Sequence, residues 1–543
     1  MGTFEVKARC RASGEYNVGS AARWQPPTLK AMVSFLRSST LKRLFCAALL
    51  AGACLQSGMF ASLEVRSLHK NYSAEYAEGH VLWMAMQMAD RHTAYQPIDR
   101  LPFVLFPYTP LYMLTTRAVG MLTGDLLLAG RALSLACTLA ISLVLGLTVF
   151  GCLSRRASLL WRWAAAGFAG TQFLLMQSVV LCAPIMRVDM LALCFAYAGL
   201  AVFICAGRRQ LGQCVAVALF VLAVFTKQIM LPIPLTCLMV GLLDNWRQTV
   251  RAYALGAVLG IAGLAACISY FGGNFLNHVF FYNAAPFSIW HGLQQVAEHL
   301  HQNLSLAAVA AAACFGVWKR GTAAASTWSR FRHGLRNNLY FRAVVVAAVH
   351  FAATTAWLLS IGKHGSAINY FLEWDMGACL LGGLFVFRLL ATWKTTGTRS
   401  GTGALAYLLL PSMTILAVLS SILMVSPSRQ ADWDRRQTIS AAHVIQAIRD
   451  TPGPVFSEEM LLALKAGKPL IAEMASATFM AQEGKWDERP LVKMMEEQRF
   501  GLVVVRDLDN KDLYTPAMKA AVEGAYIFVE QSGVCNLYRP RPR

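Results

Sequence analysis

Apolar runs long enough to cross a lipid bilayer recur along this chain from about residue 44 to residue 425. A helix of roughly 20 apolar residues spans the hydrocarbon core of a membrane. The chain of 543 residues is 56% hydrophobic and 14% charged, whereas soluble domains carry about 25% charged residues. The sequence therefore predicts a polytopic α-helical membrane protein, with lipid bilayer as its main solvent.

The apolar runs predict eleven transmembrane helices, at residues 44–63, 126–152, 160–182, 190–206, 211–226, 229–243, 252–271, 303–318, 343–361, 375–392 and 403–425. Two of these segments, 211–226 and 229–243, are short for a span. They meet at Thr226-Lys227-Gln228, so the chain is expected to reverse direction there with a cation at the turn.

The basic residues fall mostly in the loops on one side of these segments. These loops hold Arg155, Arg156, Arg162, Arg208, Arg209, Arg247, Arg251, Lys319, Arg320, Arg330, Arg332, Arg336, Arg342, Arg388, Lys394 and Arg399. The short loops on the other side hold Arg187, Lys227 and Lys363. Because cytoplasmic loops are enriched in Lys and Arg, we expect a cell (inner) membrane protein with its N-terminus inside and its C-terminus outside. The net charge of +20 then follows from topology, and no nucleic-acid partner is predicted.

Shifts in composition divide the chain into three parts: a basic cytoplasmic tail (1–43), a membrane domain (44–425) and an outer domain (426–543). Helical and strand patterns alternate in the last part, with strands expected at 455–456, 470–471, 502–505 and 527–529, which predicts a small α/β domain. The first outer loop, 64–125, contains two segments, 81–90 and 110–122, that are expected to lie in the membrane interface.

Two carboxylates, Glu75 and Glu78, follow the first predicted span on the outer side. On a helical turn, residues three apart share a face. Partial burial and a neighbouring carboxylate both raise the pKa of an acid toward the range useful for a general base. The alternative is a pair of solvated loop acids, which the spacing does not exclude.

Further ionisable and polar residues lie at the outer ends of the predicted spans: Arg187 and Asp189, then Lys227 and Gln228, then Glu373. Such residues between short helices are often functional, and a cation there could hold a phosphate at the headgroup level. Snorkelling of the long side chains is the alternative. For Glu373, the alternative is an acid favoured by the dipole at a helix start.

No metal site or cofactor is predicted. The histidines of the 272–302 loop lack metal-ligand spacing, and most of the fourteen cysteines lie within predicted spans without a CxxC or Cys/His pattern. A divalent metal is therefore left without support.

Several short motifs occur in a fixed order along residues 44–505, and together with the predicted topology they resemble the GT-C superfamily of membrane glycosyltransferases, of the protein O-mannosyltransferase and aminoarabinose transferase type. The motifs are Tyr76-Ala77-Glu78-Gly79, Tyr108-Thr109-Pro110-Leu111-Tyr112, Gly130-Arg131-Ala132-Leu133-Ser134, Arg187-Val188-Asp189, Phe225-Thr226-Lys227-Gln228, Asn369-Tyr370-Phe371-Leu372-Glu373, Ala466-Gly467-Lys468 and Gly484-Lys485-Trp486-Asp487.

The resemblance implies transfer of a sugar from a polyprenyl-phosphate carrier to a glycan, lipid or protein acceptor on the outer face. It implies an acid of the first outer loop as general base, here Glu78 with Glu75 as its partner, and basic residues that bind the lipid phosphate, here Lys227 and Arg187. The acidic signature of the superfamily is often an adjacent pair, whereas these acids are separated by two residues. The other residues expected to bind donor or acceptor are His80, Tyr108, Asp189, Gln228, Asn283, Lys363, Tyr370 and Glu373.

Two other functions are compatible with the sequence. The short paired spans around Lys227 are typical of a transporter or flippase for a lipid-linked sugar, although the internal repeats expected of one are not evident. A non-catalytic scaffold is the third function, which dispensable acids would favour. The long first outer loop and the C-terminal domain favour the enzyme.

Overall fold

A computed structural model describes residues 39–73, 75–283, 285–324, 328–392, 401–425 and 427–542. The cytoplasmic tail predicted at residues 1–43 therefore lies outside the described residues up to residue 38. The described chain consists of a helical membrane part and a C-terminal domain, which here denotes residues 427–542.

The membrane part is built from helices joined by short turns. In chain order they are α1 (Ser39–Ser67), α2 (Ala77–Gln87), α3 (Leu111–Thr123), α4 (Leu126–Cys152), α5 (Leu159–Leu174), α6 (Gln177–Cys182), α7 (Val188–Ala206), α8 (Gln210–Thr226), α9 (Pro232–Phe271), α10 (Ile289–Gln302), α11 (Leu304–Ala324), α12 (Trp328–Asn337), α13 (Leu339–Trp357), α14 (Leu372–Thr392) and α15 (Gly401–Met424). A short helix (Asn274–Leu276) with a π-helical turn (Asn277–Phe281) and two 3₁₀ turns (Leu358–Gly362 and Ile368–Phe371) complete this part.

Six helical segments of the described chain are long and apolar enough to cross a membrane: Ser39–Ser67, Leu126–Cys152, Val188–Ala206, Pro232–Phe271, Leu339–Gly362 and Ile368–Thr392. Gln210–Thr226, Leu304–Phe315 and Leu409–Met424 are shorter apolar helices. The protein is thus a multi-pass helical membrane protein, while the predicted count of eleven spans is not confirmed.

Three predicted spans differ from the structure at identifiable backbone breaks. The segments 229–243 and 252–271 belong to the single element α9, which is interrupted by non-helical backbone at Asn245 (φ −144°, ψ 87°). The preceding Asp244 is ion-paired with Arg336 and Arg342, at 3.1 Å each, so the break is held by charge. The segment 160–182 is divided into α5 and α6.

Of the six candidate spans found in the described residues, Ile368–Thr392, which contains α14, has the largest buried share, at 78% of its most apolar stretch. Helix α14 packs against α5, α11 and α13. Gly383 on α14 lies so close to α5 that an added Cβ would be 2.6 Å from the Cβ of Ala169. Small residues permit such close approach of transmembrane helices, where van der Waals packing replaces the hydrophobic driving force.

The first loop, residues 68–125, contains the two short helices that the sequence predicts near 81–90 and 110–122, observed as α2 and α3. Helix α3 ends at Gly124, whose left-handed backbone (φ 73°) lets its N–H bond the carbonyl of Gly120. Asp125 then caps α4 by accepting from the main-chain N–H groups of Leu127 and Leu128. The loop therefore returns directly into a membrane helix.

The predicted C-terminal α/β domain is confirmed. It contains α16 (Pro427–Asp450), β1 (Val455–Ser457), α17 (Met460–Lys465), α18 (Met474–Gln482), α19 (Arg489–Glu496), β2 (Leu502–Val505), α20 (Pro516–Ala525), β3 (Tyr526–Ser532) and β4 (Cys535–Pro540). The sheet order is β1-β2-β4-β3, with β1 parallel to β2 and the other pairs antiparallel. The strand predicted at 470–471 is wrong, because only an isolated bridge between Phe103 and Ala472 forms nearby.

Main-chain hydrogen bonds join the C-terminal domain to the first loop. The N–H of Phe103 donates to Ile471 O (2.8 Å), and the N–H of Glu473 donates to Phe103 O (3.0 Å). The indole N–H of Trp486 donates to Ile98 O (3.0 Å). These contacts place the C-terminal domain against the first loop and leave a cavity between them and the ends of the membrane helices.

Candidate active site

A cavity of about 830 Å³ lies where the first loop, the helix ends and the C-terminal domain meet. Nine of the residues predicted from sequence as catalytic or binding line it: Glu75, His80, Tyr108, Arg187, Lys227, Gln228, Asn283, Lys363 and Tyr370. Glu78, Asp189 and Glu373 are not among the lining residues. The structure thus brings together side chains from distant parts of the chain.

Breaks between helices carry the two main cations into the cavity. Arg187 directly precedes α7 and has extended backbone (φ −139°, ψ 150°). Lys227 ends α8, also with extended backbone (φ −150°, ψ 113°), and Pro232 begins α9 a few residues later. A proline is tolerated in the first helical turn but cannot continue a helix from the preceding segment. The predicted turn at 226–228 is therefore confirmed.

Asp189 holds both cations from behind. Its carboxylate is bonded by Arg187 Nε (3.0 Å) and Lys227 Nζ (2.5 Å), and it also accepts from Asn369 Nδ2 (2.8 Å). Burial alone would lower the pKa of Lys227, but the Asp189 carboxylate raises it above the ordinary value. Asp189 is buried and does not line the cavity, so its carboxylate contacts the two cations from the interior side.

Of the two acids predicted in the first loop, Glu75 is the one that faces the cavity. Its Oε2 lies 2.6 Å from Arg187 Nη1, and its side chain is 32% exposed. The same oxygen accepts from the main-chain N–H of Ala77 (3.1 Å). Burial alone would lower the pKa of Arg187, but Glu75 and then Asp189 raise it well above its ordinary value. The cavity therefore contains a carboxylate beside a permanently charged guanidinium.

Glu78 occupies a different environment, because α2 begins at Ala77 and Glu75 lies in the turn before it. The Glu78 carboxylate is fully buried and forms a bidentate pair with Arg131 on α4, at 2.8 Å for both Nε and Nη2. It also accepts from the main-chain N–H of Met186 (2.9 Å). The expectation that the two acids share one face is therefore wrong.

Arg131 shows why Glu78 is turned inward. Its guanidinium also donates to the main-chain carbonyls of Leu68 (3.2 Å), Lys70 (2.6 Å) and Tyr72 (3.1 Å). Both side chains are almost completely enclosed, at 2% and 0% exposure. The Glu78–Arg131 pair thus fastens the end of α1, the start of the first loop and α4 together.

Three further predicted residues, Gln228, Asn283 and Lys363, form a second wall of the cavity. Gln228 Nε2 donates to Pro107 O (2.7 Å), Asn283 Nδ2 donates to the same carbonyl (3.2 Å), and Lys363 Nζ donates to Asn283 Oδ1 (3.0 Å). Burial, and then the charge of Lys227, lower the pKa of Lys363. This wall therefore offers amide groups and a third ammonium group.

Aromatic groups and a buried acid complete the predicted set. The ring of Tyr370 lies 5.4 Å from Lys227 Nζ, within the range of a cation–π contact. His80 Nε2 is 2.6 Å from Leu105 O, and burial raises the pKa of Tyr108. Glu373 is buried at the start of α14, behind the lining residues.

The sequence did not point to the polar side chains that the C-terminal domain adds to the cavity: Glu458, Glu473, Arg506, Asp507, Asn510 and Asp512. Glu458 Oε2 accepts from the main-chain N–H of Arg506 (2.9 Å) and from the Tyr514 hydroxyl (2.8 Å). Burial raises the pKa of Glu458. No local motif marks these residues, because only the docking of the domain brings them to the cavity.

The cavity has the side chains for anion binding and proton transfer. Arg187 and Lys227 can bind a phosphate, and Glu75 can accept a proton beside them. Within the described ranges, no group of three or more His, Cys, Asp or Glu side chains could hold a metal ion.

The fold and the cavity define a multi-pass helical protein whose C-terminal α/β domain covers a charged cavity at the ends of its membrane helices. Neither a protein-family model nor a curated protein matches the chain.

Solved structures do match. ArnT from Cupriavidus metallidurans, in a structure bound to undecaprenyl phosphate, is 17% identical, with a TM-score of 0.52 over 91% of this chain and 97% of that one. The apo structure of the same protein has a TM-score of 0.53 at the same identity and coverage. ArnT is an aminoarabinose transferase of the GT-C superfamily. The resemblance predicted from the motifs is therefore confirmed at the level of the fold.

Proposed function

We propose that this protein is a membrane glycosyltransferase that moves a sugar from a polyprenyl-phosphate carrier to an acceptor on the outer face of the membrane. The observation that carries the proposal is the Glu75–Arg187 pair at 2.6 Å beside the buried Lys227 in one cavity. A base and a phosphate-binding pair are what such a transfer requires. The ArnT structure with undecaprenyl phosphate adds a carrier of this class to the shared fold.

In this mechanism Arg187 and Lys227 bind the phosphate of the donor by charge-assisted hydrogen bonds. Glu75 accepts the proton of the acceptor hydroxyl while the oxygen of that hydroxyl forms a bond to the anomeric carbon of the sugar. The bond between that carbon and the phosphate oxygen breaks, and its electron pair leaves with polyprenyl phosphate. The two cations stabilise this developing charge, and attack opposite the leaving group inverts the anomeric centre.

Glu75 is preferred to Glu78 as the base because of exposure. A general base must come within about 3 Å of the proton that it removes. Glu75 lines the cavity with a third of its side chain exposed. Both oxygens of Glu78 are occupied by Arg131 in the interior.

We further propose the orientation that the loop charges predict, with the N-terminus cytoplasmic and the C-terminal domain outside the inner membrane. The cavity would then open on the outer side, where an envelope acceptor is found.

The proposal is tested by incubating purified protein in detergent with a panel of polyprenyl-phosphate sugars and measuring the release of polyprenyl phosphate. We expect release by wild type and a loss of about 10²–10⁴-fold in Glu75→Gln, the usual contribution of a general base. Asp487→Asn is the matched control, because this exposed acid of the C-terminal domain lies outside the cavity lining.

Full activity in Glu75→Gln would remove Glu75 from the role of base. If no donor is cleaved, and sealed vesicles instead show movement of the intact lipid-linked sugar across the membrane, the protein is a transporter.

A further inference from the structure

We infer that Glu75 pairs with Arg187 at a position that the donor phosphate takes over, so that donor binding itself releases the base. This inference rests on the proposed function and adds an order of events to it. The guanidinium that would bind the phosphate is already paired with the carboxylate that would perform catalysis, at 2.6 Å.

The partners of Arg187 differ in how firmly they are held. Asp189 is 1% exposed and is bonded by Arg187, Lys227 and Asn369 at once. Glu75 is 32% exposed, lies in the turn before α2, and has Arg187 as its side-chain partner and the Ala77 N–H as its main-chain partner. An anion that enters the cavity and competes for Arg187 therefore displaces Glu75 and leaves Asp189 in place.

The charges of the cluster point the same way. Within this group of four side chains, the charges of Glu75 and Asp189 balance those of Arg187 and Lys227. A donor phosphate adds a negative charge to this balanced set. Like charges repel at short range, so a phosphate bound at Arg187 favours departure of the Glu75 carboxylate from that guanidinium.

Two consequences follow for the reaction. The base is sequestered while the donor site is empty, and it is freed beside the phosphate where the anomeric carbon will lie. The donor is therefore expected to bind before the acceptor can be deprotonated. Asp189 acts as the fixed support that keeps Arg187 in position while its other partner changes.

The first test measures the affinity of purified variants for undecaprenyl phosphate in detergent. We expect Glu75→Gln to bind it about tenfold more tightly than wild type, because removing a competing charged partner releases a charge-assisted hydrogen-bond donor. The gain should vanish without Arg187, so the double variant Glu75→Gln/Arg187→Gln should bind undecaprenyl phosphate no more tightly than Arg187→Gln alone. Asp512→Asn is the charge control, since this acid also lines the cavity but is 72% exposed and pairs at 3.9 Å with His364.

Equal or weaker binding by Glu75→Gln, with transfer by wild type intact, overturns this inference alone. An equal gain in Asp512→Asn also overturns it, because the effect would then be general electrostatics. If no variant binds undecaprenyl phosphate and no donor is cleaved, the inference and the proposed function both fail.

The second test needs no variant. The rate of carbodiimide labelling at Glu75 in wild type, read by peptide mass spectrometry, is compared with undecaprenyl phosphate and with undecaprenol, which has the same chain without the phosphate. We expect labelling to rise several-fold with the phosphate relative to undecaprenol. Equal labelling with the two lipids overturns the inference.

Discussion

Glu78→Gln should separate a structural acid from a catalytic one. The substitution removes the negative charge that faces Arg131 and leaves the guanidinium enclosed, with 2% of its side chain exposed. Loss of one partner of a buried ion pair costs about 3–5 kcal/mol. Arg131 keeps its bonds to the carbonyls of the first loop, so we expect the lower end, about 3 kcal/mol in the free energy of unfolding.

The assay is reversible unfolding in mixed detergent and SDS micelles, followed by fluorescence, for wild type, Glu78→Gln and Glu75→Gln. The Glu75 pair is one-third exposed on the acid side, and exposed pairs contribute about 0–1 kcal/mol, so Glu75→Gln should unfold close to wild type. Transfer per folded molecule should show the opposite pattern, with the larger loss in Glu75→Gln.

A Glu78→Gln variant that keeps its stability within about 1 kcal/mol but loses transfer would refute this reasoning. Glu78 would then act in the transfer reaction, as the superfamily resemblance implies, and its pairing with Arg131 would not be its main role.

Two further predictions concern Lys227 and Glu458. Lys227→Ala should weaken undecaprenyl phosphate binding and should slow turnover less than Glu75→Gln does, because Lys227 holds the phosphate and transfers no proton; an unchanged affinity in a titration would contradict that role. Glu458 has a pKa raised by burial, so the stability it contributes is full below the ordinary Glu pKa of about 4.3 and is lost as pH rises through its higher folded-state value. Glu458→Gln, which does not ionise, should therefore lose less thermal stability than wild type between pH 4 and pH 8, and parallel profiles would contradict the assignment.

Local sequence patterns predicted the features that depend on neighbouring residues. The turn at Lys227 follows from the end of one apolar run and the prolines that begin the next, and the four-residue apolar run 502–505 matches β2. Strand β4, Cys535–Pro540, was missed because its mixed polar sequence takes its order from pairing with β2 and β3.

The choice between Glu75 and Glu78 depended on a residue far along the chain. Arg131, 53 positions after Glu78, pairs with that acid in the interior. The spacing of the two acids along the loop does not predict this pairing. The C-terminal side of the cavity was missed for the same reason, since Glu458 and Arg506 reach it only through the docking of the domain on the first loop.

The bonds that join Phe103 to Ile471 and Glu473, with the Tyr76 hydroxyl accepting from the N–H of Met474 (3.0 Å), have a consequence for protein engineering. The C-terminal domain is not a detachable accessory, because removing it would strip these partners from the loop that carries Glu75. A chimaera that exchanges this domain between related proteins should therefore also exchange the first loop. Residues 76–103 and 471–486 would have to come from the same parent protein.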